Sequence, residues 1–135
     1  ILMIDIDHFK IINDTRGHLD GDQILQEFTQ KLNTMLRSTD ILGRIGGDEF
    51  VVLLPDTSVE QARSLAQRVC SQIAVEKFLP DKDGDSPEVT ISIGVASYTH
   101  DCGFNLEKVI GRADKALYQA KARGRNRVCE YIAGV

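Results

Sequence analysis

The sequence predicts an α+β domain in which helices pack on the faces of a central, mostly antiparallel sheet. Short apolar, β-prone runs alternate with longer stretches whose apolar residues recur every three or four positions, as in amphipathic helices. Two predicted strands are separated only by a Gly-Gly-Asp-Glu segment, which is a strong hairpin signal. The length of 135 residues suits a single domain spanning residues 1–135.

The predicted elements follow the order β-α-β-β-α-β-α-β. Along the chain they are a strand at 1–6, a helix at 22–36, strands at 41–45 and 50–54, a helix carrying the apolar stripe 62–73, a strand at 89–98, a helix carrying the stripe 106–120, and a strand at 127–132. The sequence shows no internal repeat and no interdomain linker.

The first half of the chain is assigned from its apolar runs and its turn residues. Residues 1–6 are mostly apolar, which is typical of a short buried strand. The Asn-Asp and Arg-Gly pairs within 13–17 indicate a loop, and residues 22–36 place their apolar side chains on one helical face. Gly46 and Gly47 favour a primed turn between the next two strands, because such turns need positive φ.

Capping residues mark the start of the helix that follows the hairpin. Ser58 with Gln61 has the spacing of a capping box, and so does Thr57 with Glu60. The sequence therefore leaves two alternatives for the residue that caps this helix.

Three residues punctuate the second half of the chain. Gly94 lies inside the strand at 89–98 and indicates a bulge. Asn105 is expected to cap the last helix, and Gly124 is expected to end it.

Composition excludes several classes of protein. A net charge of −4 provides no overall basic field for duplex nucleic acid, so we expect no nucleic-acid partner. Three widely spaced cysteines indicate reduced thiols, which favours a cytoplasmic domain, on the cytoplasmic face if the parent protein is membrane-anchored. The longest apolar run is far shorter than a membrane span. The aspartates of 81–85 lack the Gly and Glu positions of a calcium-binding EF-hand.

Acidic residues stand where two of the predicted strands meet a loop. Asp5 and Asp7 close the first strand, and we expect only one of them to serve any single site. Asp48 and Glu49 follow the glycine pair, which lets a phosphate approach the backbone closely. If this hairpin lies beside the first strand, Asp5 and Asp48 can share a divalent cation, because Mg²⁺ is usually bound by one or two carboxylates and substrate phosphates. Taken singly, each residue also suits a solvated strand end or turn.

Other polar residues suggest contacts to a nucleotide. Lys10 follows the first strand closely enough to reach a phosphate. Asn13 and Asp22 offer an amide and a carboxylate, a combination that can read a guanine edge, although both are also common in loops and at helix starts. Arg37, three residues before Asp40, can clamp a phosphate or stack on a base.

Basic residues on the later helices give two further candidates. Arg68 can add a second guanidinium beside the Arg37 segment. Lys115 belongs to a basic group near the end of the last helix, where cations either compensate the helix dipole or, for Lys115, clamp a triphosphate.

Five ordered segments of the sequence resemble a GGDEF domain, the domain of diguanylate cyclases. They are DIDHFKIINDTRGHLDGD from Asp5, RSTD from Arg37, GGDEF from Gly46, TISIGVA from Thr90 and ADKALYQAKARGRNRV from Ala113. The resemblance covers nearly the whole chain. It implies a palm-like nucleotide-cyclase fold and an enzyme that joins two GTP molecules into cyclic di-GMP and releases two pyrophosphates.

The resemblance also implies roles for individual residues. The metal ligands for Mg²⁺ or Mn²⁺ would be Asp5, the Ile6 carbonyl and Asp48, and the catalytic group would be Asp48 as the base for the ribose 3′-hydroxyl, Glu49 and Lys10. The substrate would be bound by Asn13, His18, Asp22, Lys115, Gly46 and Gly47. An inhibitory site for the product would consist of Arg37, Asp40 and Arg68.

The resemblance implies partners and also shows two departures. Each subunit would hold one GTP, so catalysis would need a homodimer, and the parent chain would carry an N-terminal sensory or regulatory domain. The lead-in helix and DxLTGLxNR segment that usually open the family are absent from this sequence. Gln119 stands where a second phosphate-binding basic residue often occurs.

Two alternatives to an active cyclase follow from the same residues. The first is a non-catalytic receptor domain for GTP or cyclic di-GMP, and the second is a nucleic-acid polymerase or binding module. The intact Asp5, Asp48 and Glu49 favour the enzyme over the receptor. The weak basic footprint disfavours the nucleic-acid alternative.

Overall fold

A computed structural model describes residues 1–103 and 105–134. Its strands are β1 (Leu2–Ile6), β2 (Ile41–Arg44), β3 (Glu49–Leu53), β4 (Ile91–Val95) and β5 (Arg127–Glu130), and its α-helices are α1 (Phe9–Arg16), α2 (His18–Met35), α3 (Val59–Val75) and α4 (Leu106–Ala122). A short 3-10 helix at His100–Cys102 precedes α4.

The five strands form one sheet in the order β2-β3-β1-β4-β5. The pairings of β1 with β3, β1 with β4, and β2 with β3 are antiparallel, whereas β4 and β5 are parallel. The mostly antiparallel sheet with flanking helices confirms the predicted α+β class. Within the described ranges, no helix is both long and apolar enough to cross a bilayer.

The helices cover both faces of the sheet. Leu2, Ile4 and Ile6 of β1 pack into the larger core with α2 and α3, whereas Met3 packs with Ala113 of α4. Alternation along a strand sends successive side chains to opposite faces, so the odd-numbered residues of β1 face α4. Asp5, at the end of the central strand, therefore lies on the α4 face.

The segment before α2 is a helix rather than the predicted loop. α1 buries Phe9 and Ile12, which are three residues apart and therefore lie on one helical face. Eight residues show too little periodicity to be recognised against the Asn-Asp and Arg-Gly turn signals. Gly17, with φ of 90°, then separates α1 from α2, which starts at residue 18 instead of the expected 22.

The hairpin between β2 and β3 also differs from the expected turn. Its connection spans residues 45–48, and neither Gly46 nor Gly47 has a positive φ, so the primed-turn prediction is wrong. The Ile45 and Gly46 amides both donate to the carbonyl of Glu49, at 3.0 and 3.4 Å. A longer loop closed in this way does not need the left-handed conformations of a two-residue turn.

The predicted caps of α3 and α4 are largely confirmed. The Ser58 side chain accepts from the Gln61 amide, and the Gln61 side chain accepts from the Ser58 amide, which decides between the two capping-box alternatives. The Asn105 side chain accepts from the Lys108 amide. Gly124, with φ of 114°, directly follows Arg123, the C-cap residue of α4.

Gly94 does not form the predicted bulge. It pairs in continuous register with Met3 of β1 and Cys129 of β5. Its lack of a side chain has another cause, because a Cβ there would lie 2.0 Å from the Ala113 carbonyl oxygen and 2.3 Å from the Leu117 amide nitrogen. Gly94 thus permits α4 to contact the sheet backbone. The strands at 89–98 and 127–132 are also shorter than expected, since pairing ends at Val95 and Glu130.

Candidate active site

The two acidic segments meet at one end of the sheet. β3 pairs directly with β1, and Asp5 lies opposite Glu49 in the register. The Ile6 amide donates to the Asp48 carbonyl at 3.1 Å, so the residue after β1's aspartate is tied to the hairpin loop. Residues directly opposite in an antiparallel pair share a face of the sheet. The structure therefore brings Asp5, Asp48 and Glu49 together, as the sequence predicted if the hairpin lay beside the first strand.

Arg44 holds the glycine segment of the hairpin loop in place. Its guanidinium donates to the Gly46 carbonyl at 3.0 Å and to the Gly47 carbonyl at 2.7 Å. A planar guanidinium can satisfy two acceptors at once, which restricts the loop more than a single bond would. No sequence motif predicts this role for Arg44, although it lies only two residues before the glycine pair.

Asp5 is a buried carboxyl group that pairs with a lysine from α4. The residue is 6% exposed, and its Oδ2 accepts a hydrogen bond from Lys121 Nζ. Burial raises the pKa of Asp5 to about 6, the Lys121 hydrogen bond lowers it, and the neighbouring Asp48 carboxyl raises it. The other oxygen, Oδ1, is buried and has no hydrogen-bond partner among the described residues. One ammonium group thus leaves this pair of carboxyls short of positive charge.

Lys115 and Lys121 line the same cavity as Glu49. This cavity, of about 440 Å³, lies between β3 and α4 and is also lined by Asp114 and Tyr118. Lysine ammonium groups beside a carboxylate-bearing strand end suit a polyphosphate whose charge is shared with a cation. From sequence, Lys121 is only one of several basic residues near the end of the last helix. Its contact with Asp5 spans 116 positions, so no short window of sequence predicts it.

Asp7 serves a separate structural network. It accepts from the Thr90 hydroxyl at 2.8 Å, the Ser92 hydroxyl at 2.7 Å and the Asn126 amide at 2.9 Å. These bonds join the end of β1 to β4 and to the turn before β5. Asp5 and Asp7 thus have different partners, because β1 ends at Ile6, before Asp7. That only one of them serves any single site stays a prediction.

The residues predicted to contact guanine lie on the α1–α2 hairpin. Asn13 is on α1, and its buried Oδ1, which lacks a partner among the described residues, lies against the backbone of Gly21. Asp22 follows Gly21 and lines a cavity of about 500 Å³ with Arg44 and Phe50. The sequence predicted that Asn13 and Asp22 flank a loop. In the structure they lie instead on two packed helices, α1 and α2. Buried amide oxygens normally accept a hydrogen bond, so Asn13 leaves one acceptor unsatisfied in this structure.

Two other predicted contacts lie at the surface nearby. Lys10 is exposed on α1, and His18 is exposed at the start of α2. The structure shows no hydrogen bond from either side chain to the described part of the protein.

The residues predicted to form an inhibitory site line a different cavity from that of Glu49 and Lys115. Arg37, Asp40 and Arg68 line one cavity of about 210 Å³. The Asp40 side chain, only 1% exposed, accepts from the Arg37 amide at 2.8 Å and from its guanidinium at 3.2 Å. The same guanidinium donates to the Thr57 hydroxyl at 2.6 Å. Asp40 and Thr57 thus hold one arginine facing a second one on α3.

The donor set at Asp5 fits a hard divalent cation. In the described ranges, no three His, Cys, Asp or Glu side chains are grouped as a ready-made metal cage. Mg²⁺ commonly binds through one or two carboxylates and completes its shell with water and substrate phosphates. The orphaned Asp5 Oδ1 and the adjacent Asp48 supply that kind of partial shell.

The family model "Diguanylate cyclase, GGDEF domain" matches residues 1–127. The chain belongs to the GGDEF domain family. This GGDEF domain is 45% identical over 128 residues to Diguanylate cyclase A of Treponema denticola, a match that covers 95% of this chain and 34% of that protein. It therefore spans about a third of the length of that curated relative.

Solved structures share the fold of this GGDEF domain. The active GGEEF domain of a diguanylate cyclase from Vibrio cholerae superposes with a TM-score of 0.89 at 34% identity, covering 98% of this chain and 82% of that one. The GGDEF domain of DgcB from Caulobacter crescentus, in complex with c-di-GMP, gives a TM-score of 0.87 at 29% identity, covering 96% and 75%. These matches confirm the expected cyclase palm fold.

Proposed function

We propose that this GGDEF domain is a diguanylate cyclase that condenses two GTP molecules into cyclic di-GMP. The observation that carries the proposal is the meeting of Asp5 and Asp48 at the end of β1. One Asp5 oxygen has no hydrogen-bond partner among the described residues, and two lysines line the adjacent cavity. Phosphoryl transfer depends mainly on positioning and on neutralising charge, so a site of carboxylates and cations without a covalent nucleophile suits it.

The proposed reaction forms two bonds of the same kind. The 3′-oxygen of each ribose attacks the α-phosphorus of the other GTP, and the bond from that phosphorus to the β-phosphate oxygen breaks. Each attack releases one pyrophosphate, and the 3′-hydroxyl proton passes to Asp48 as the proposed base. Because each domain holds one GTP, the reaction needs two copies facing each other, and a homodimer is part of the proposal.

The remaining residues would bind and orient the nucleotide. The Asn13 amide oxygen and the Asp22 carboxylate would read the guanine edge, and His18 would lie near the nucleotide. Lys10 and Lys115 would neutralise phosphate charge, and Gly46 and Gly47 would let the phosphates lie close to the loop that Arg44 braces. Glu49 would add a carboxylate beside Lys115.

Asp5, the Ile6 carbonyl and Asp48 would hold Mg²⁺ or Mn²⁺. When bound, these ions stabilise charge on the attacking and leaving oxygens of the transfer. The free, buried state of the three cysteines suits the cytoplasmic setting expected for the domain.

Purified protein incubated with GTP and Mg²⁺ tests this function. We expect cyclic di-GMP and pyrophosphate in a one-to-two ratio, measured by anion-exchange chromatography, and a rate per subunit that rises with protein concentration as dimers form. Protein that binds cyclic di-GMP tightly but yields no product at any concentration, including when fused to a dimerising coiled coil, would establish the receptor alternative instead.

Product inhibition through Arg37, Asp40 and Arg68 is a second element of the proposal. Replacing Arg37 by alanine is expected to weaken cyclic di-GMP binding about tenfold or more, since a charge-assisted hydrogen bond contributes about 1.5–3 kcal/mol. Isothermal titration of cyclic di-GMP, and the product concentration that halves the initial rate, would both show the loss.

Arg63→Ala is the matched control for Arg37→Ala. Arg63 lies on α3, as Arg68 does, but pairs with Glu130 and does not line the Arg37 cavity. Its replacement is expected to leave product affinity unchanged. Equal product affinity in Arg37→Ala and the unaltered protein would contradict the inhibitory site.

A further inference from the structure

Lys121 occupies a position in the site that no sequence pattern assigned to it. Its ammonium donates a hydrogen bond to one oxygen of Asp5, whose other oxygen is buried and has no partner in the part of the chain that the structure describes. The lysine side chain is 31% exposed, whereas that of Asp5 is 8% exposed. The lysine therefore reaches from the solvent-facing cavity into the buried carboxylate that is proposed as a metal ligand.

The neighbourhood of this ion pair explains why a cation is needed there. A carboxylate that is removed from water is costly unless it is paired. Asp48 adds a second acidic group at the same point, and Glu49 lies on the same face as Asp5. Lys121 is the only lysine or arginine that forms an ion pair with Asp5 in the described part of the chain. Without a divalent ion, it is the group that compensates this cluster.

Lys121 also lies beside a cavity in which its ammonium could contact a phosphate. It lines the cavity between β3 and α4 together with Lys115, on the same helix. Gln119, at the position where a second phosphate-binding basic residue often occurs in the family, does not line this cavity. A lysine side chain is a flexible four-carbon stem, so rotation about its bonds can move the ammonium from Asp5 to a phosphate without any change in the backbone.

We propose that Lys121 is an exchangeable counter-ion: it neutralises Asp5 in the metal-free domain, gives up this position when a divalent cation binds, and then contacts the polyphosphate beside Lys115. The inference rests on the proposed function for the identity of the polyphosphate. It makes Lys121 a positioning residue for the metal and a phosphate-binding residue in place of Gln119.

The counter-ion role has a measurable consequence for metal binding alone. In Lys121→Met the side chain keeps most of its length but no ammonium competes with the metal. We expect this variant to bind Mn²⁺, without nucleotide, about fivefold or more tightly than the unaltered protein, since a unit charge a few ångströms away contributes on the order of 1 kcal/mol even when well screened. The free Mn²⁺ signal in electron paramagnetic resonance gives the affinity.

Two further variants separate competition from general electrostatics. Lys115→Met removes a lysine from the same cavity and helix but not one that contacts Asp5, so its effect on Mn²⁺ affinity should be clearly smaller. Lys121→Arg keeps the charge and should bind Mn²⁺ within about twofold of the unaltered protein. Equal or weaker Mn²⁺ binding in Lys121→Met would overturn the counter-ion role.

The phosphate role predicts a change of the opposite sign. With Mg²⁺ at saturation, Lys121→Met should bind inorganic tripolyphosphate more weakly than the unaltered protein. The loss of affinity should be about as large as the loss in Lys115→Met. Tighter metal binding together with weaker tripolyphosphate binding is the expected pair of results. Unchanged tripolyphosphate affinity would overturn the proposed movement of the lysine.

A measurement on the unaltered protein covers the case in which Lys121→Met does not fold. The Lys121 side-chain nitrogen and Cε signals, assigned by their loss in Lys121→Arg, should shift on addition of Mg²⁺, whereas those of Lys115 should shift less. An unmoved Lys121 signal at saturating Mg²⁺ would refute the exchange. These readouts need no GTP turnover, so a domain that made no cyclic di-GMP could still pass them, and an active cyclase could still fail them.

Discussion

Asp48→Asn is expected to lower cyclic di-GMP formation by at least about 10³-fold at saturating GTP and Mg²⁺. The substitution keeps the size of the side chain and removes its negative charge. It would weaken the metal shell that Asp48 shares with Asp5, and it would remove the proposed base for the 3′-hydroxyl. The fold should persist, because the bond that ties Asp48 to Ile6 uses the main-chain carbonyl. Product measured by chromatography over a time course gives the rate.

Asp83→Asn is the control for this prediction. Asp83 is exposed in the loop after α3, far in sequence from the hairpin, and the same change of charge there should leave the rate within about twofold. Thermal unfolding of both variants would show that neither loses its structure. An Asp48→Asn protein that kept a tenth or more of the activity would exclude Asp48 as both base and essential metal ligand.

Gly94→Ala is expected to destabilise this domain strongly. A methyl group at this position would lie 2.0 Å from the Ala113 carbonyl oxygen and 2.3 Å from the Leu117 amide nitrogen. Both are main-chain atoms of α4, so no side-chain rotation can make room, and the helix must move away from β4. We expect a decrease of about 3 kcal/mol in the free energy of unfolding, as for severe overpacking.

Urea unfolding followed by circular dichroism measures the effect, and Gly111→Ala provides a matched control. Gly111 lies within the same helix, α4, but a Cβ there would meet no atom of the described residues within 4 Å. Alanine favours the helix over glycine by up to about 1 kcal/mol, so this variant should be as stable as the unaltered protein or more stable. A Gly94→Ala domain of normal stability would show that α4 does not contact the sheet as closely as described.

Activity should fall with stability in Gly94→Ala, because α4 carries Lys115 and Lys121. Displacing the helix from β4 would separate these lysines from Asp5 and Glu49, which are held by the sheet. A Gly94→Ala domain with an unchanged urea unfolding transition but reduced activity would therefore indicate a small shift of α4 rather than global unfolding.

Local patterns predicted most of the architecture of this domain. The apolar faces of α2, α3 and α4, the capping box at Ser58 and the cap at Asn105 depend on neighbouring residues, so they could be read from short windows of sequence. The acidic residues that end β1 and follow the glycine pair were likewise evident, as was the possibility that they meet. That meeting depended on which strands pair, and the antiparallel pairing of β1 with β3 provides it.

Tertiary packing decided what short windows could not. α1 forms because Phe9 and Ile12 pack into the hydrophobic core, although the polar residues of this segment alone favour a turn. Gly94 is required by a helix that is distant in sequence, and a glycine within a strand carries the same signal for a bulge as for a close backbone contact. Lys121 reaches Asp5 across 116 positions, a separation at which only the fold determines which charges become neighbours. The acidic half of the site was thus determined by the sequence itself, whereas its basic half was determined by where α4 packs.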